Sequence, residues 1–334
     1  MKKTDKRFNL FIVRSPLQLI NAIEAKHYFK TENNILCIIH NTSIVNSSQM
    51  NKLISLYTWD KIIEHNKNNQ KNNLLKNVKF IKNLRKNNYC YLFSGDLGNI
   101  NIALISSVDK VFCFLIDDGT STLNLHKKFL NPNVKKKKTL NIFIREYRYR
   151  LFGINCSLTP ETINYFTMFN ILPYKKEKII KNNFLFLKNN FKNIGVDEKK
   201  TVYLLGQNFV EIEAIHEKVY IEYLEKIINY YKNQQIIYYP HRSEEVSSAY
   251  NRLKNKNFII KKSEQPIEIE LLIKGTTPTV IASFVSSALF TLHQIFPETL
   301  IQSFIIKSDD LLSFQKTMKM LYKNQDPLIE KINL

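Results

Sequence analysis

The chain has 334 residues, of which 44% are hydrophobic, enough to build two domains with separate cores. Its 7 Gly and 9 Pro residues are too few for a collagen-like or linker-dominated chain, and its 12% aromatic content argues against disorder. The formal net charge of +20 is typical of proteins that meet nucleic acid, an anionic membrane or an anionic substrate, although a solvated lysine-rich surface explains it equally well.

The first part of the chain alternates short apolar runs with helical patterns. Because buried parallel strands are apolar throughout, this alternation predicts a parallel sheet covered by helices on both faces. Strands are predicted at 8–13, 35–39, 89–93 and 111–116, and helices at 17–29, 50–65 and 99–106. The rhythm is lost from 124 to about 198, a basic and aromatic segment.

A second alternation follows a polar linker predicted at 189–200. It predicts a second Rossmann-like domain, with the two domains facing a cleft. Strands are predicted at 201–205, 235–239, 258–260, 279–284 and 300–306, and helices at 211–231, 246–253, 267–273, 286–296 and 309–322.

The cysteines, which number 4, form neither a CxxC pair nor a Cys/His cluster with zinc-ligand spacing, a pattern that fits a reducing cytoplasm. No signal peptide is recognisable, and the nearly uncharged stretch 276–297 contains Ser and His, which favours a buried strand–turn–helix over a membrane span. Basic residues cluster at 135–138 and around Arg145, Arg148 and Arg150, which suits contact with anionic lipid. We therefore expect a cytoplasmic protein that meets the inner membrane at most peripherally.

Two acidic residues, Asp117 and Asp118, stand where the predicted strand 111–116 ends, and Gly119 follows them. Adjacent carboxylates at a strand end have the chemistry of a base, a hydrogen-bond acceptor or a metal ligand, and their like charges raise one pKa. An Asp-Gly turn explains the same residues without any function.

Pro240, His241 and Arg242 follow the strand 235–239. Arg supplies a forked donor, and His donates a hydrogen bond or a proton, so the pair favours an anion such as a leaving phosphate. A histidine with a purely local hydrogen bond is the alternative interpretation.

Ser286 and Ser287 follow the strand 279–284 and open the next predicted helix. Backbone N–H groups and hydroxyls at a helix start favour phosphate binding, but ordinary N-capping explains the pair as well.

The loop after strand 201–205 contains Gly206, which permits close approach of a ligand to the backbone, and Gln207. The sequence has neither GxGxxG nor GxxxxGK[ST], which disfavours dinucleotide and P-loop proteins. Glu211 then opens the predicted helix, where an acidic residue is a chemical group or a partner of the helix dipole. Glu268 lies in an apolar setting and suits a ribose diol, or is an ordinary surface charge.

The order of these motifs resembles that of bacterial sialyltransferases, most closely glycosyltransferase family 52, the lipooligosaccharide α-2,3-sialyltransferases. The resemblance spans residues 8 to about 306 and rests on Ser15-Pro16-Leu17-Gln18, Ile116-Asp117-Asp118-Gly119-Thr120, Leu204-Leu205-Gly206-Gln207, Tyr239-Pro240-His241-Arg242, Ile267-Glu268 and Phe284-Val285-Ser286-Ser287-Ala288.

The sequence departs from that family's pattern in two places. Arg242 directly follows His241, where the family often has a second proline. The aspartate that the family offers as base, a few residues beyond the Leu-Gly loop, is missing, so Glu211, Glu213 and Asp118 all remain candidates.

The resemblance implies an α/β protein of the GT-B type that moves sialic acid, with inversion, from CMP-sialate to a galactose-type hydroxyl of a lipooligosaccharide or capsule glycan. It also implies no metal or other cofactor, no nucleic acid, a homodimer that domain swapping could build, and a peripheral contact with an anionic membrane. The acceptor-side domain is predicted over 1–198, with an irregular basic insertion, and the CMP-sugar-binding domain over 199–334.

Each motif then has an expected role. His241 acts on the bridging phosphate oxygen, and a carboxylate, Glu211 or Asp118, takes the acceptor proton. Ser286, Ser287 and Arg242 bind the phosphate of CMP-sialate, and Gln207 and Glu268 orient its cytidine and ribose. Gly206 and Pro240 complete the binding site for CMP-sialate, and Ser15, Gln18, Asp117 and Gly119 shape the motifs.

Four rival hypotheses stay open. They are another nucleotide-sugar transferase of the same fold, such as an α-glucosyltransferase; a metal-dependent transferase with Asp117 and Asp118 as ligands; a nucleic-acid-binding protein, supported only by the charge of +20; and a catalytically dead surface protein.

Overall fold

The structure is a computed structural model that describes residues 7–40, 43–66, 73–131, 139–158, 162–190, 195–196, 201–253, 257–323, 327 and 329–334. The chain divides into two compact units, Met1–Phe186 and Leu187–Leu334, so the predicted division at 198/199 falls inside the second unit. The lysine cluster at 135–138 and most of the predicted linker at 189–200 lie outside the described residues.

The first unit is built on a seven-stranded parallel sheet. Its strands are β1 (Phe8–Val13), β2 (Asn34–His40), β3 (Lys61–Asn66), β4 (Asn88–Ser94), β5 (Asp109–Ile116), β6 (Ile163–Thr167) and β7 (Ile179–Lys181). They lie in the order β3-β2-β1-β4-β5-β6-β7. The helices are α1 (Pro16–Tyr28), α2 (Ile44–Leu56), α3 (Asn73–Leu84), α4 (Asn99–Ser107), α5 (Ser121–Asn124) and α6 (Leu140–Arg150), and a π-helical segment, Leu125–Leu130, follows α5.

The second unit contains a six-stranded parallel sheet. Its strands are β9 (Val202–Leu205), β10 (Ile236–Tyr239), β11 (Phe258–Ile260), β13 (Val280–Ser283), β14 (Leu300–Ile305) and β15 (Glu330–Asn333), and β8 (Gly195–Val196) pairs separately with β12 (Thr276–Thr277). The order is β11-β10-β9-β13-β14-β15. Helix α7 (Leu185–Asn190) lies at the boundary between the units, followed by α8 (Glu217–Tyr230), α9 (Ile267–Lys274), α10 (Ser287–Ile295) and α11 (Gln315–Lys323).

Both sheets follow one plan. The chain enters each sheet at an inner strand, adds two strands on one side, and then crosses to add the remaining strands on the other side. The order of strands therefore reverses between the neighbours β1 and β4 in the first sheet, and between β9 and β13 in the second. Open α/β sheets bind ligands beyond the carboxyl ends of the strands at such a switch point. The edges to inspect are therefore the ends of β1 and β4 and the ends of β9 and β13.

The central strands are buried on both faces, as their continuous apolar sequences predict. Phe11 and Phe93 stack at 4.6 Å on one face of the first sheet. Cys37 and Cys113 are fully desolvated, which raises the pKa of each thiol to about 12 and makes them inert core residues. Among the described residues, none of the helices has the length and apolarity that crossing a bilayer requires.

The predicted helices at 50–65 and 211–231 are wrong in part, and β6 and β7 were not predicted. Residues 50–65 are the end of α2, which starts at Ile44 behind a Ser43 N-cap, followed by β3. The predicted helix at 211–231 begins only at Glu217, because buried Phe209, Ala214 and Ile215 hold 209–215 as turns. β6 and β7 extend the first sheet within the segment where the sequence shows no rhythm, since Asn164 and Thr167 use their polar groups inside the sheet.

Candidate active site

Four predicted motifs of the second unit lie at the carboxyl edge of its sheet. The loops after β9, β10 and β13 contain Gly206-Gln207, Pro240-His241-Arg242 and Ser286-Ser287, and α9 begins after β11 with Glu268 in its first turn. Because β9 separates β10 from β13, and strands are about 4.8 Å apart, the ends of these two strands are roughly 10 Å apart. The sheet thus gathers His241 and Ser286 on one edge.

His241 is half-buried, and its ring is oriented by its own turn. Nδ1 accepts a hydrogen bond from the backbone N–H of Ser243 at 3.2 Å. Burial first, and the positive charge of Arg242 second, lower the pKa of His241 to about 4. The imidazole is therefore neutral at pH 7, with its proton on Nε2, and presents an N–H donor.

Glu244 holds the His241 loop in place, and the sequence analysis did not identify it. Its Oε2 accepts from the backbone N–H of His241 at 2.8 Å, and its Oε1 accepts from the hydroxyls of Tyr250 at 2.8 Å and of Tyr238. Burial raises the pKa of this carboxyl to about 7, against the lowering effect of these hydrogen bonds. Glu244 is thus a buried anchor of the loop.

Gly206 has a packing role that the sequence did not predict. A Cβ at this position would overlap Glu244 Oε2 and the hydroxyl of Tyr238, so the glycine leaves room for the buried Glu244 network. The same network reaches the β9 loop, because the hydroxyl of Tyr220 contacts that of Tyr238 at 3.1 Å and accepts from the backbone N–H of Gln207 at 3.0 Å.

The switch point itself is occupied by Gln207 and Ser283. The Gln207 amide nitrogen lies 3.5 Å from Ser283 Oγ and donates to the carbonyl of Gly206 at 2.8 Å. Ser283 Oγ donates to the carbonyl of Leu205 at 2.8 Å, which ties the ends of β9 and β13 together. The half-buried Gln207 side chain therefore has a fixed position beside the crossing of the chain.

Ser286 is the N-cap of α10, as its position predicts, and its Oγ accepts from the backbone N–H of Ala288 at 3.2 Å. Ser287 is the first residue of the nine-residue helix, and both serines are half-buried. The edge thus contains a helix start with backbone N–H groups and two hydroxyls, the arrangement that suits a phosphate.

Glu268 is 5% exposed, which corrects the interpretation of it as an ordinary surface charge. Burial raises its pKa to about 7, while its own backbone N–H and the charge of Arg242 lower it. The β10 loop, with the exposed Arg242, and the start of α9, with the buried Glu268, therefore lie at the same carboxyl edge of the sheet.

Glu211 lies on an exposed turn, not at a helix start. Its Oε1 accepts from the backbone N–H of Glu245 at 2.7 Å, which places the carboxylate against the loop that contains His241. Glu213 is also exposed, and its φ of +54° marks the tight turn before α8. Of the two, Glu211 is the one that contacts the His241 loop.

The first unit brings its two predicted motifs together. Ser15 Oγ donates to Asp118 Oδ1 at 3.1 Å and also N-caps α1, accepting from the backbone N–H of Gln18 at 3.3 Å. The Gln18 side chain accepts from the backbone N–H of Arg14 at 2.8 Å. Gly119, with a φ of +60°, turns the chain after Asp118. The carboxyl ends of β1 and β5 are thereby linked.

Asp117 has a structural role. It is fully buried, and its carboxylate accepts from Thr167 Oγ1 at 2.7 Å and from the backbone N–H of Met168 at 2.6 Å, which joins β5 to β6. Burial raises the pKa of Asp117 to about 7. Within the described part of the chain, no group of three His, Cys, Asp or Glu side chains is arranged to hold a metal ion.

The fold defines the class of the protein. It is similar to UDP-GlcNAc 2-epimerase from Methanocaldococcus jannaschii, with 12% identity over 98% of this chain and 89% of that chain and a TM-score of 0.51. It is also similar to Phytolacca americana UGT2, with 9% identity over 99% and 86% and a TM-score of 0.51. A Listeria monocytogenes protein described as a UDP-N-acetylglucosamine 2-epimerase gives 8% identity over 92% and 80% and a TM-score of 0.50. With its two parallel sheets, the chain has the GT-B type α/β fold, as predicted.

The family follows from the sequence. The family model for alpha-2,8-polysialyltransferase (POLYST) matches residues 9–304, and the chain belongs to this family. The expected sialyltransferase membership is thereby confirmed, whereas family 52 and its α-2,3 linkage remain predictions. No curated protein matches the chain.

Proposed function

We propose that this protein transfers sialic acid from CMP-sialate to a sugar hydroxyl, and that the carboxyl edge of the second unit's sheet binds the CMP half of the donor. The observation that carries this proposal is the gathering, at one carboxyl edge of the sheet, of three groups whose chemistry suits a phosphate and a nucleoside. They are the Nε2–H of His241, the serine-capped start of α10 and the amide of Gln207.

The phosphate is assigned to the α10 start. Backbone N–H groups and the hydroxyls of Ser286 and Ser287 stabilise the negative charge that stays on CMP when the bond between sialic acid C2 and the phosphate oxygen breaks. Arg242 adds positive charge at the same edge of the sheet.

His241 is assigned to the bridging phosphate oxygen. With a pKa of about 4, it reaches the donor as a neutral hydrogen-bond donor and not as an acid. An anionic phosphate beside the ring raises that pKa, so the imidazole stabilises the departing CMP more strongly as charge develops. Glu244, which accepts from the His241 backbone N–H, keeps the ring in place.

The remaining roles concern the nucleoside and the base. We assign cytidine and ribose to Gln207, Pro240 and Glu268, and the acceptor proton to Glu211, which contacts the His241 loop through Glu245. Substituting each candidate base tests the last assignment. We expect Glu211→Gln to lower kcat about 100-fold or more, and Asp118→Asn to lower it less than tenfold; the reverse ranking assigns the base to Asp118.

The family description names α-2,8 transfer, in which the acceptor is itself a sialic acid, whereas the resemblance to family 52 implies a galactose-type acceptor of a surface glycan. Purified protein is incubated with CMP-sialate and either a labelled lactoside or a sialylated lactoside, and product mass and linkage are determined. We expect a sialylated product from at least one acceptor, with unchanged rates in EDTA. Transfer from UDP-glucose but not from CMP-sialate would support the rival glucosyltransferase instead.

A further inference from the structure

Helix α6 carries an apolar stripe that faces away from the protein. Its exposed apolar side chains recur at i, i+3, i+4, i+7 and i+11, the spacing of one helix face, and their exposure runs from 40% at Ile144 to 74% at Leu140: Leu140, Phe143, Ile144, Tyr147 and Leu151. In a surface helix this pattern normally faces the core. Here it faces solvent along the whole helix.

The outward orientation is fixed by the opposite face. Tyr149 is 4% exposed, and its hydroxyl accepts from the Asn77 side chain at 3.1 Å. Glu146, on the same side, is also buried. Just beyond the helix, Arg85 donates to the carbonyl of Gly153 at 2.7 Å, and Ile154 is buried. With these anchors in the core, the helix has no simple rotation that hides its apolar stripe.

Arginines flank the stripe. At about 100° per residue, Arg148 and Arg150 lie roughly 80° to either side of the stripe's centre, and both are exposed. Long cationic side chains beside an apolar helix face extend toward lipid headgroups, while Phe and Tyr suit the boundary between headgroups and acyl chains. The chain as a whole has a formal net charge of +20.

We propose that α6 binds an anionic lipid surface, lying in the plane of the membrane with its stripe, defined by Leu140, Phe143, Ile144, Tyr147 and Leu151, inserted between headgroups. The positive charge of the chain favours anionic lipid over a second copy of the chain as the partner of this stripe. A second copy of the chain would bring another +20 and a second set of arginines against the stripe, whereas anionic lipid neutralises both.

Vesicle flotation tests the proposal on the full-length protein without donor or acceptor, so the result does not depend on the proposed activity. The probes are vesicles of phosphatidylglycerol and phosphatidylcholine in equal parts, and vesicles of phosphatidylcholine alone. We expect the wild type to prefer the anionic vesicles. We expect the double variant Phe143→Ser/Tyr147→Ser to lose at least about tenfold in binding, and Arg148→Gln/Arg150→Gln to lose about 30-fold on anionic vesicles, at about 1 kcal/mol for each arginine.

Matched controls use exposed residues away from α6. Ile44→Ser/Leu172→Ser removes two side chains that are 85% and 80% exposed, and Lys316→Gln/Lys319→Gln removes two exposed charges on α11. Both should bind vesicles within about twofold of the wild type, since neither pair belongs to the stripe or to its flanking arginines. The proposal is overturned if the α6 variants bind as tightly as these controls, if the wild type ignores lipid, or if the α6 variants alter only self-association in light scattering.

Discussion

The two sheets share one strand plan, yet their carboxyl edges use polar side chains differently. At the first unit's switch point the charges neutralise each other: Arg14 pairs with Asp96 at 3.0 Å and donates to Asn101 at 2.9 Å. At the carboxyl edge of the second sheet, the His241 ring N–H and the start of α10 are hydrogen-bond donors, whereas the Gln207 amide nitrogen donates to the carbonyl of Gly206. The acid that holds the His241 loop, Glu244, is buried.

The comparison teaches that a motif at a strand end is not in itself a site. Asp117 and Glu244 are both buried carboxyls with a pKa of about 7, and both join a strand end to its neighbours. The sequence analysis gave Asp117 a place in a motif and overlooked Glu244. A sheet edge suits a nucleotide when polar groups still face outward after the buried acid has formed its own hydrogen bonds.

The largest expected effect is at His241. His241→Ala should lower kcat for sialic acid transfer about 100- to 1,000-fold, which is the cost of removing one hydrogen-bond donor to a developing oxyanion. His241→Gln should retain more activity, because an amide N–H replaces Nε2–H. Initial rates and circular dichroism together separate catalysis from folding, and near-normal rates in His241→Ala would refute the assigned role.

Loss of Glu244 comes next. Glu244→Ala leaves the Tyr238 and Tyr250 hydroxyls and the His241 N–H without their acceptor, and should cost roughly 3 kcal/mol in the free energy of unfolding. Urea denaturation measures it. Glu244→Gln keeps an acceptor and should cost clearly less; equal losses in the two variants would argue that the hydrogen bonds contribute little.

Gly206→Ala should destabilise by roughly 2 kcal/mol, because the new methyl overlaps the buried Glu244 and Tyr238. Gly195→Ala is the control, since its Cβ would meet nothing nearer than the Gly275 carbonyl at 3.8 Å. Thermal unfolding of both variants, compared with the wild type, tests whether the close approach is the reason for glycine at 206.

The last expected effect is a change of stability with pH. The folded pKa of Glu244, about 7, exceeds the ordinary 4.5, so between these values the folded state holds a proton that the unfolded state has released. The stability that the raised pKa of Glu244 gives the wild type, measured against Glu244→Gln, is therefore at its full value below about pH 4.5. It should fall by roughly 1–3 kcal/mol as pH rises through 7.

His241 acts with the opposite sign. Its folded pKa of about 4 lies below the ordinary 6.5, so its contribution is present above 6.5 and is lost as pH falls toward 4. Because both proteins contain His241, this contribution cancels in the comparison. A difference that stays flat from pH 4.5 to 8 in urea denaturation would contradict the raised pKa of Glu244.

The sequence predicts those parts of the fold where pattern and packing agree. The buried strand β9 is apolar throughout, β1 is apolar except for Asn9, and the loops after both strands hold the predicted motifs. β6 escaped prediction because Asn164 and Thr167 interrupt its apolar run, although both bond within the sheet. Glu244 escaped because its role depends on a turn that folds it back under His241; an acid three residues after a strand-end histidine is the signal that could have found it.

Hydrogen exchange with and without CMP tests most directly the claim that the second unit's edge binds the nucleotide. We predict that added CMP slows exchange in the loops after β9, β10 and β13, around Gln207, His241 and Ser286, and leaves the loops after β1 and β5 in the first unit unchanged. Protection centred on Ser15 and Asp118, or no protection at any of these loops at saturating CMP, would contradict it.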